Sequence, residues 1–104
     1  MLAVRVTSSG DSIVVHLDGD LDLLTVGRVR HDLAPLMTDG AHLVLDLAHV
    51  SCIDSAGIGL LLSTRSALLK RGCSLEVRNP SNVVRRVLDV TGLVDLLLGT
   101  GATA

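Results

Sequence analysis

The chain has 104 residues, 48% of them apolar, with no Phe, Trp or Tyr and a formal charge of −2 at neutral pH. That length suits one domain whose core needs neither disulfides nor metals, and the core has to be aliphatic. A slightly acidic chain without aromatic stacking platforms is a poor nucleic-acid binder, and its apolar runs are too short to cross a bilayer.

No positively charged start leads into an apolar stretch of the signal-peptide kind, so the expectation is a cytoplasmic protein with no membrane insertion. Cys52 and Cys73 form no CxxC pair and each adjoins a predicted strand. Two buried, reduced thiols acting as small hydrophobes are therefore expected rather than a disulfide or zinc site.

Leu2, Val4 and Val6 alternate with Ala3, Arg5 and Thr7, and Ile13, Val15 and Leu17 alternate with Val14, His16 and Asp18, the period of half-buried strands. Ser8 to Asp11 supplies the hairpin loop between them. Asp18, Gly19, Asp20 and Asp22 read as an acidic turn. Beyond it, Val26, Val29, Leu33, Leu36 and Met37 form a helical face that Thr25 can cap and Gly40 can close, with a bend expected between His31 and Pro35.

Leu43 to Leu47 is a short, nearly continuous apolar strand. A helix is predicted from Ser55 to Arg71, with Ile58, Leu61, Leu62, Leu68 and Leu69 at helical spacing and Gly72 as its left-handed cap. Cys73 to Arg78 alternates as another strand. Asn79-Pro80-Ser81 opens a helix that carries Val83, Val84, Val87 and Leu88 and ends at Gly92, and Leu93 to Leu97 suggests a last short helix. The order is β-β-α-β-α-β-α-α. This is an α/β fold: a single domain over residues 1–98 with a mixed sheet and helices mainly on one face, followed by a flexible tail at 99–104.

Chemistry concentrates at the junction between the strand ending at Leu47 and the helix beginning at Ser55. A hydroxyl there sits at a helix N-terminus, where unpaired N–H groups and the positive end of the dipole tolerate a phosphate. Asp54 or Ser55 can equally be a simple N-cap. Gly57 and Gly59, with Ile58 between them, permit either tight packing of the helix on the sheet or close approach of a partner. The acidic residues Asp20 and Asp22 follow a neighbouring strand and can share a rim with Ser55.

Other chemistries fit poorly. A nucleophile elbow needs glycine two residues before the serine, where Ile53 stands, so no catalytic residue is expected. His16, His31, His42 and His49 form no metal-binding spacing, and Gly57-Ile58-Gly59 lacks the rest of a phosphate loop, so neither a metal nor a cofactor is expected. Arg28, Arg30, Arg65, Lys70, Arg71, Arg85 and Arg86 spread over polar helix faces and read as solubilising charge.

Asp46-Leu47 followed by Ile53-Asp54-Ser55-Ala56-Gly57-Ile58-Gly59-Leu60-Leu61 resembles the signature of STAS-domain anti-sigma factor antagonists. Leu17-Asp18-Gly19-Asp20-Leu21-Asp22 resembles that family's G-E-L-D turn, and Asn79 through Leu93 its C-terminal helix and T-G-L. The resemblance implies a STAS-type domain and phosphorylation at Ser55. It also implies a partner surface of Asp20, Asp22, Asp54, Ser55, Ala56, Gly57, Ile58 and Gly59. The implied partners are an anti-sigma factor serine kinase, which the unphosphorylated form binds to release a sigma factor, and a serine phosphatase that reverses the switch. Ala56 departs from the second Ser or Thr of many antagonists. In that respect the junction also resembles the small cytoplasmic STAS subunits that brace the ATPase of bacterial lipid-transport ABC systems.

Overall fold

The computed structural model describes residues 1–98; the flexible tail expected at 99–104 lies outside the described residues. Strands β1 (Leu2–Ser9) and β2 (Ser12–Leu21) form an antiparallel hairpin. Its two-residue turn places Gly10 at a φ of 60°, a left-handed conformation that glycine adopts without a Cβ penalty. Helix α1 (Val26–Leu33) leads to strand β3 (His42–Ile53), helix α2 (Ser55–Lys70) to strand β4 (Ser74–Arg78), and helices α3 (Asn82–Thr91) and α4 (Val94–Leu97) follow. The sheet order is β1-β2-β3-β4, with β2, β3 and β4 mutually parallel. The mixed α/β architecture is the expected one.

One face of the sheet presents Val15, Leu17, Leu21, Leu43, Leu45, Leu47, Val50, Ile53 and Val77 to Val29, Leu33, Leu60, Leu61, Leu68, Val84 and Leu88 of the helices. This core is wholly aliphatic. Deleting a fully buried leucine such as Leu60 from such packing costs about 2–5 kcal/mol. The opposite face carries His16, Asp46 and Arg78. Asp46 is buried there: its Oδ1 accepts the Ala48 N–H at 3.0 Å and its Oδ2 the Asn79 amide at 3.2 Å, with His16 and Arg78 at 3.7 and 3.9 Å.

Strands β2 and β3 are both longer than their hydrophobic patterns suggest. The inward residues of β3 run Leu43, Leu45, Leu47, then Val50 and Ile53, a change of spacing from two to three. Register accounts for it: pairing with β2 shifts between His16 and Asp18 and again between Gly19 and Asp20. Each shift gives β3 one extra residue, as a β-bulge does. On β2, Asp18, Gly19 and Asp20 are strand residues, so the expected acidic turn begins only at Asp22. Gly19 sits at a φ of 127°, and a Cβ there would overlap the Met1 carbonyl, so the β1 chain can run past only a glycine.

Helix α1 is shorter than expected. It ends at Leu33, and Ala34–Leu36 tightens into a single 3-10 turn around Pro35, which cannot donate to the helical ladder. Thr25 occupies the N-cap position but caps nothing in α1; its hydroxyl donates to the Asp20 carbonyl at 2.8 Å and accepts the Asp22 N–H at 3.0 Å. On α2 the buried face is Gly57, Leu60, Leu61, Thr64 and Leu68, one step round from the expected stripe, which leaves Ile58 and Leu62 half-buried and Leu69 exposed. Gly72 and Gly92 end α2 and α3 at positive φ, as their positions in the sequence suggest.

Candidate functional site

Strands β2 and β3 end side by side at Leu21 and Ile53, and α2 starts two residues after Ile53. Asp54 is the N-cap of α2. Its Oδ1 accepts the Gly57 N–H at 3.0 Å, while Oδ2 reaches across to accept the Leu23 N–H at 3.1 Å. One carboxylate thus starts the helix and pins the loop that follows β2. The Gly57 N–H bond, opposed by partial desolvation and reinforced by the Leu23 N–H, holds the Asp54 carboxyl below the usual carboxylate range.

With capping assigned to Asp54, Ser55 is the first residue of the helix, exposed, and its hydroxyl lies outside the cap. The two glycines divide the roles open to them. Gly57 is buried, and a Cβ on it would overlap the Leu21 carbonyl oxygen and lie 2.7 Å from Ile53 Cγ1, so it permits the close seating of α2 on the sheet. Gly59 is half-buried, with no atom within 4 Å of the place its Cβ would take. Ala56 and Ile58 are half-buried beside it.

The acidic residues reach the same rim. Asp20, Asp22 and Cys52 place one side-chain donor atom each within 4.8 Å of one another. Asp22 also shapes the loop, accepting the Leu24 N–H at 3.0 Å. Cys52 is exposed, against the expectation of two buried thiols, because the second register shift of β3 turns it to the face opposite the core; Cys73 is buried as expected. Desolvation, then the neighbouring Asp20, Asp22 and Asp54 carboxylates, push the Cys52 thiol up. Two carboxylates and one thiol are unlike the thiolate and imidazole set of a structural zinc site.

Sequence reasoning passed over Leu23 and Leu24. They are 74% and 91% exposed, beside Asp54, and with Ile58 they place apolar surface next to Ser55. The available signal was phase: a leucine pair between the end of β2 and Thr25 fits neither the strand period nor the helix period, so no core awaits it.

The family model described as "Mlab, STAS domain" matches residues 4–99, nearly the whole chain. The anti-sigma-B factor antagonist of Bacillus subtilis (strain 168) is 35% identical over 94 residues, covering 90% of this chain and 86% of that protein. The chain belongs to the STAS-domain anti-sigma factor antagonist family. The anti-sigma-B factor antagonist of Staphylococcus epidermidis is also 35% identical to this STAS domain, over 97 residues, 92% of the chain and 90% of that protein. Among solved structures, the anti-sigma factor antagonist SpoIIAA in its unphosphorylated form matches with a TM-score of 0.75 at 26% identity, over 92% of this STAS domain and 86% of that chain. Among the described residues, no helix of the domain is long and apolar enough to cross a membrane.

Proposed function

We propose that the chain is an anti-sigma factor antagonist switched at Ser55. In this reading the unphosphorylated domain binds an anti-sigma factor that is also a serine kinase, and the bound sigma factor is released. Phosphorylation of Ser55 breaks that complex, and a serine phosphatase restores it. The observation that carries the reading is the division of labour at the start of α2: Asp54 holds the helix and the loop, so Ser55 is free to be modified without loss of the cap.

Two hydroxyls farther along α2 are poorer acceptors. Thr64 is buried, and the Ser63 hydroxyl donates to the Leu60 carbonyl at 3.2 Å and accepts from the Arg30 guanidinium at 2.9 Å. The contact surface consists of Leu23, Leu24 and Ile58 with Ala56 and Gly59, bordered by Asp20, Asp22 and Asp54. A phosphate brings roughly −1.5 to −2 charges beside those carboxylates, which disfavours a closely packed contact through like-charge repulsion and desolvation. A loss of about 2.7 kcal/mol weakens a complex a hundredfold.

A second reading has one observation behind it. Ala56 leaves Ser55 as the lone hydroxyl of the Asp54–Gly59 segment, a form shared with STAS subunits that brace a lipid-transport ATPase. Partners captured from a native lysate separate the two, an anti-sigma kinase supporting the first and an ABC ATPase the second. With the captured kinase and ATP, peptide mapping is expected to place a single phosphate on Ser55; a phosphate on Ser51, Ser63 or Thr64 instead refutes the switch. Ser55→Glu is expected to weaken kinase binding at least tenfold, about 1.4 kcal/mol, while Ser55→Ala binds like wild type. Wild-type affinity in Ser55→Glu also refutes it.

A further inference from the structure

The far edge of the sheet, away from the Ser55 rim, is formed by β4. Among the described residues, strand β4 pairs only with β3, so the backbone groups along its other side face outward. That side borders a groove of about 660 Å³ that runs along the whole of Ser74–Arg78. Leu69, Leu75, Val77 and Pro80 give it an apolar floor, and three guanidiniums line it: Arg65 from α2, Arg78 from β4 and Arg85 from α3. Among the described residues, Arg65 and Arg85 take part in no ion pair, while Arg78, whose Nε is buried without a hydrogen-bond partner, is 3.9 Å from Asp46. Among the described residues, the one carboxylate of the groove is Glu76, 3.5 Å from His42.

We infer that this groove accepts an extended acidic peptide segment of a partner protein as a fifth strand on β4. Two features select that occupant. An open strand edge offers alternating backbone N–H and C=O groups, which only another backbone satisfies in register, and five strand residues span about 17 Å. The arginines then select among peptides. On an added strand successive side chains alternate between faces, so one set meets Arg65 and Arg85 on the helix side and the other meets Arg78 on the open side. Arg78 already lies beside Asp46, so selection falls to the helix side: carboxylates at alternate positions suit Arg65 and Arg85, and lysines there are repelled.

The inference does not depend on the Ser55 reading, and its test involves neither the kinase nor that residue. The probes are two acetylated hexapeptides, one alternating valine with glutamate and one alternating valine with lysine, titrated into the full chain with backbone amide resonances as the readout. The acidic peptide is expected to shift the amides of Ser74–Arg78 and slow their hydrogen exchange, to bind more weakly as salt rises, and to lose at least tenfold in affinity in Arg65→Glu/Arg85→Glu. Arg85→Glu alone, at an exposed position, gives the same direction should the double variant fold poorly. The lysine peptide is expected not to bind. Equal binding of both peptides, shifts confined to the Asp20–Ser55 rim, or wild-type affinity in the arginine variants overturns the inference. So does inorganic phosphate that displaces the peptide at low millimolar concentration, which would make the groove an anion pocket. An absence of binding means that the arginines merely keep the edge from self-pairing, and also overturns it.

Discussion

Gly57 and Gly59 lie two residues apart on one helix, yet the same substitution should move stability in opposite directions. In a helix interior, alanine is favoured over glycine by about 0.8–1 kcal/mol, and both variants gain this. At Gly59 nothing lies within 4 Å of the new methyl group. Gly59→Ala should therefore stabilise the domain by about 1 kcal/mol, a rise of about 4–8 °C in melting temperature for a domain this small. At Gly57 the methyl group meets the Leu21 carbonyl and Ile53 Cγ1. Overpacking costs about 1–3 kcal/mol, and the obstacle here is backbone that also accepts the Asp54 N–H at 3.3 Å, which places the cost near the upper end. Net of the propensity gain, Gly57→Ala should lose about 2 kcal/mol, a fall of roughly 8 °C or more. With no aromatic residues, far-ultraviolet circular dichroism is the suitable probe for the melts. A Gly57→Ala protein that melts at or above wild type, or a destabilised Gly59→Ala, refutes the division of the two glycines into a seat and an open surface.

Two further outcomes are expected. Asp54→Ala, which strips the acceptor from both the Gly57 and Leu23 N–H groups, should lower the melting temperature, whereas Ser55→Ala should stay within about 0.5 kcal/mol of wild type; the reverse order would make Ser55 the cap. Asp46 supplies a pH dependence. Burial acts to raise its pKa, but the Ala48 N–H, the Asn79 amide, His16 and Arg78 together outweigh burial and hold it below the usual carboxylate range. A carboxyl with a depressed folded pKa contributes stability above its unfolded value of about 3.9 and loses it as pH falls through the folded value. Asp46→Asn should therefore be less stable than wild type at neutral pH, with the gap closing below about pH 4. Urea unfolding across that range checks this, and a constant gap refutes it.

Element type was legible wherever one periodicity held throughout an element. Val15 and Leu17 on β2 and Leu75 and Val77 on β4 keep strict alternation, and the glycines at 72 and 92 mark helix ends by a conformation that other residues disfavour. Legibility failed where the period changed within an element. Val50 and Ile53 belong to β3 only because two register shifts absorb the extra residues, and no local pattern announces a register set by a neighbouring strand. That failure hid the exposure of Cys52 and placed the acidic residues in a turn rather than at a strand end. The site suffered less, because its central contacts are local: Asp54 caps the turn that Ser55 begins. Only its long-range member escaped, the bond from Leu23 N–H to Asp54 across 31 residues of chain. That bond makes one rim of two distant segments, and it sets the exposed Leu23 and Leu24 beside the residue that caps the helix Ser55 begins.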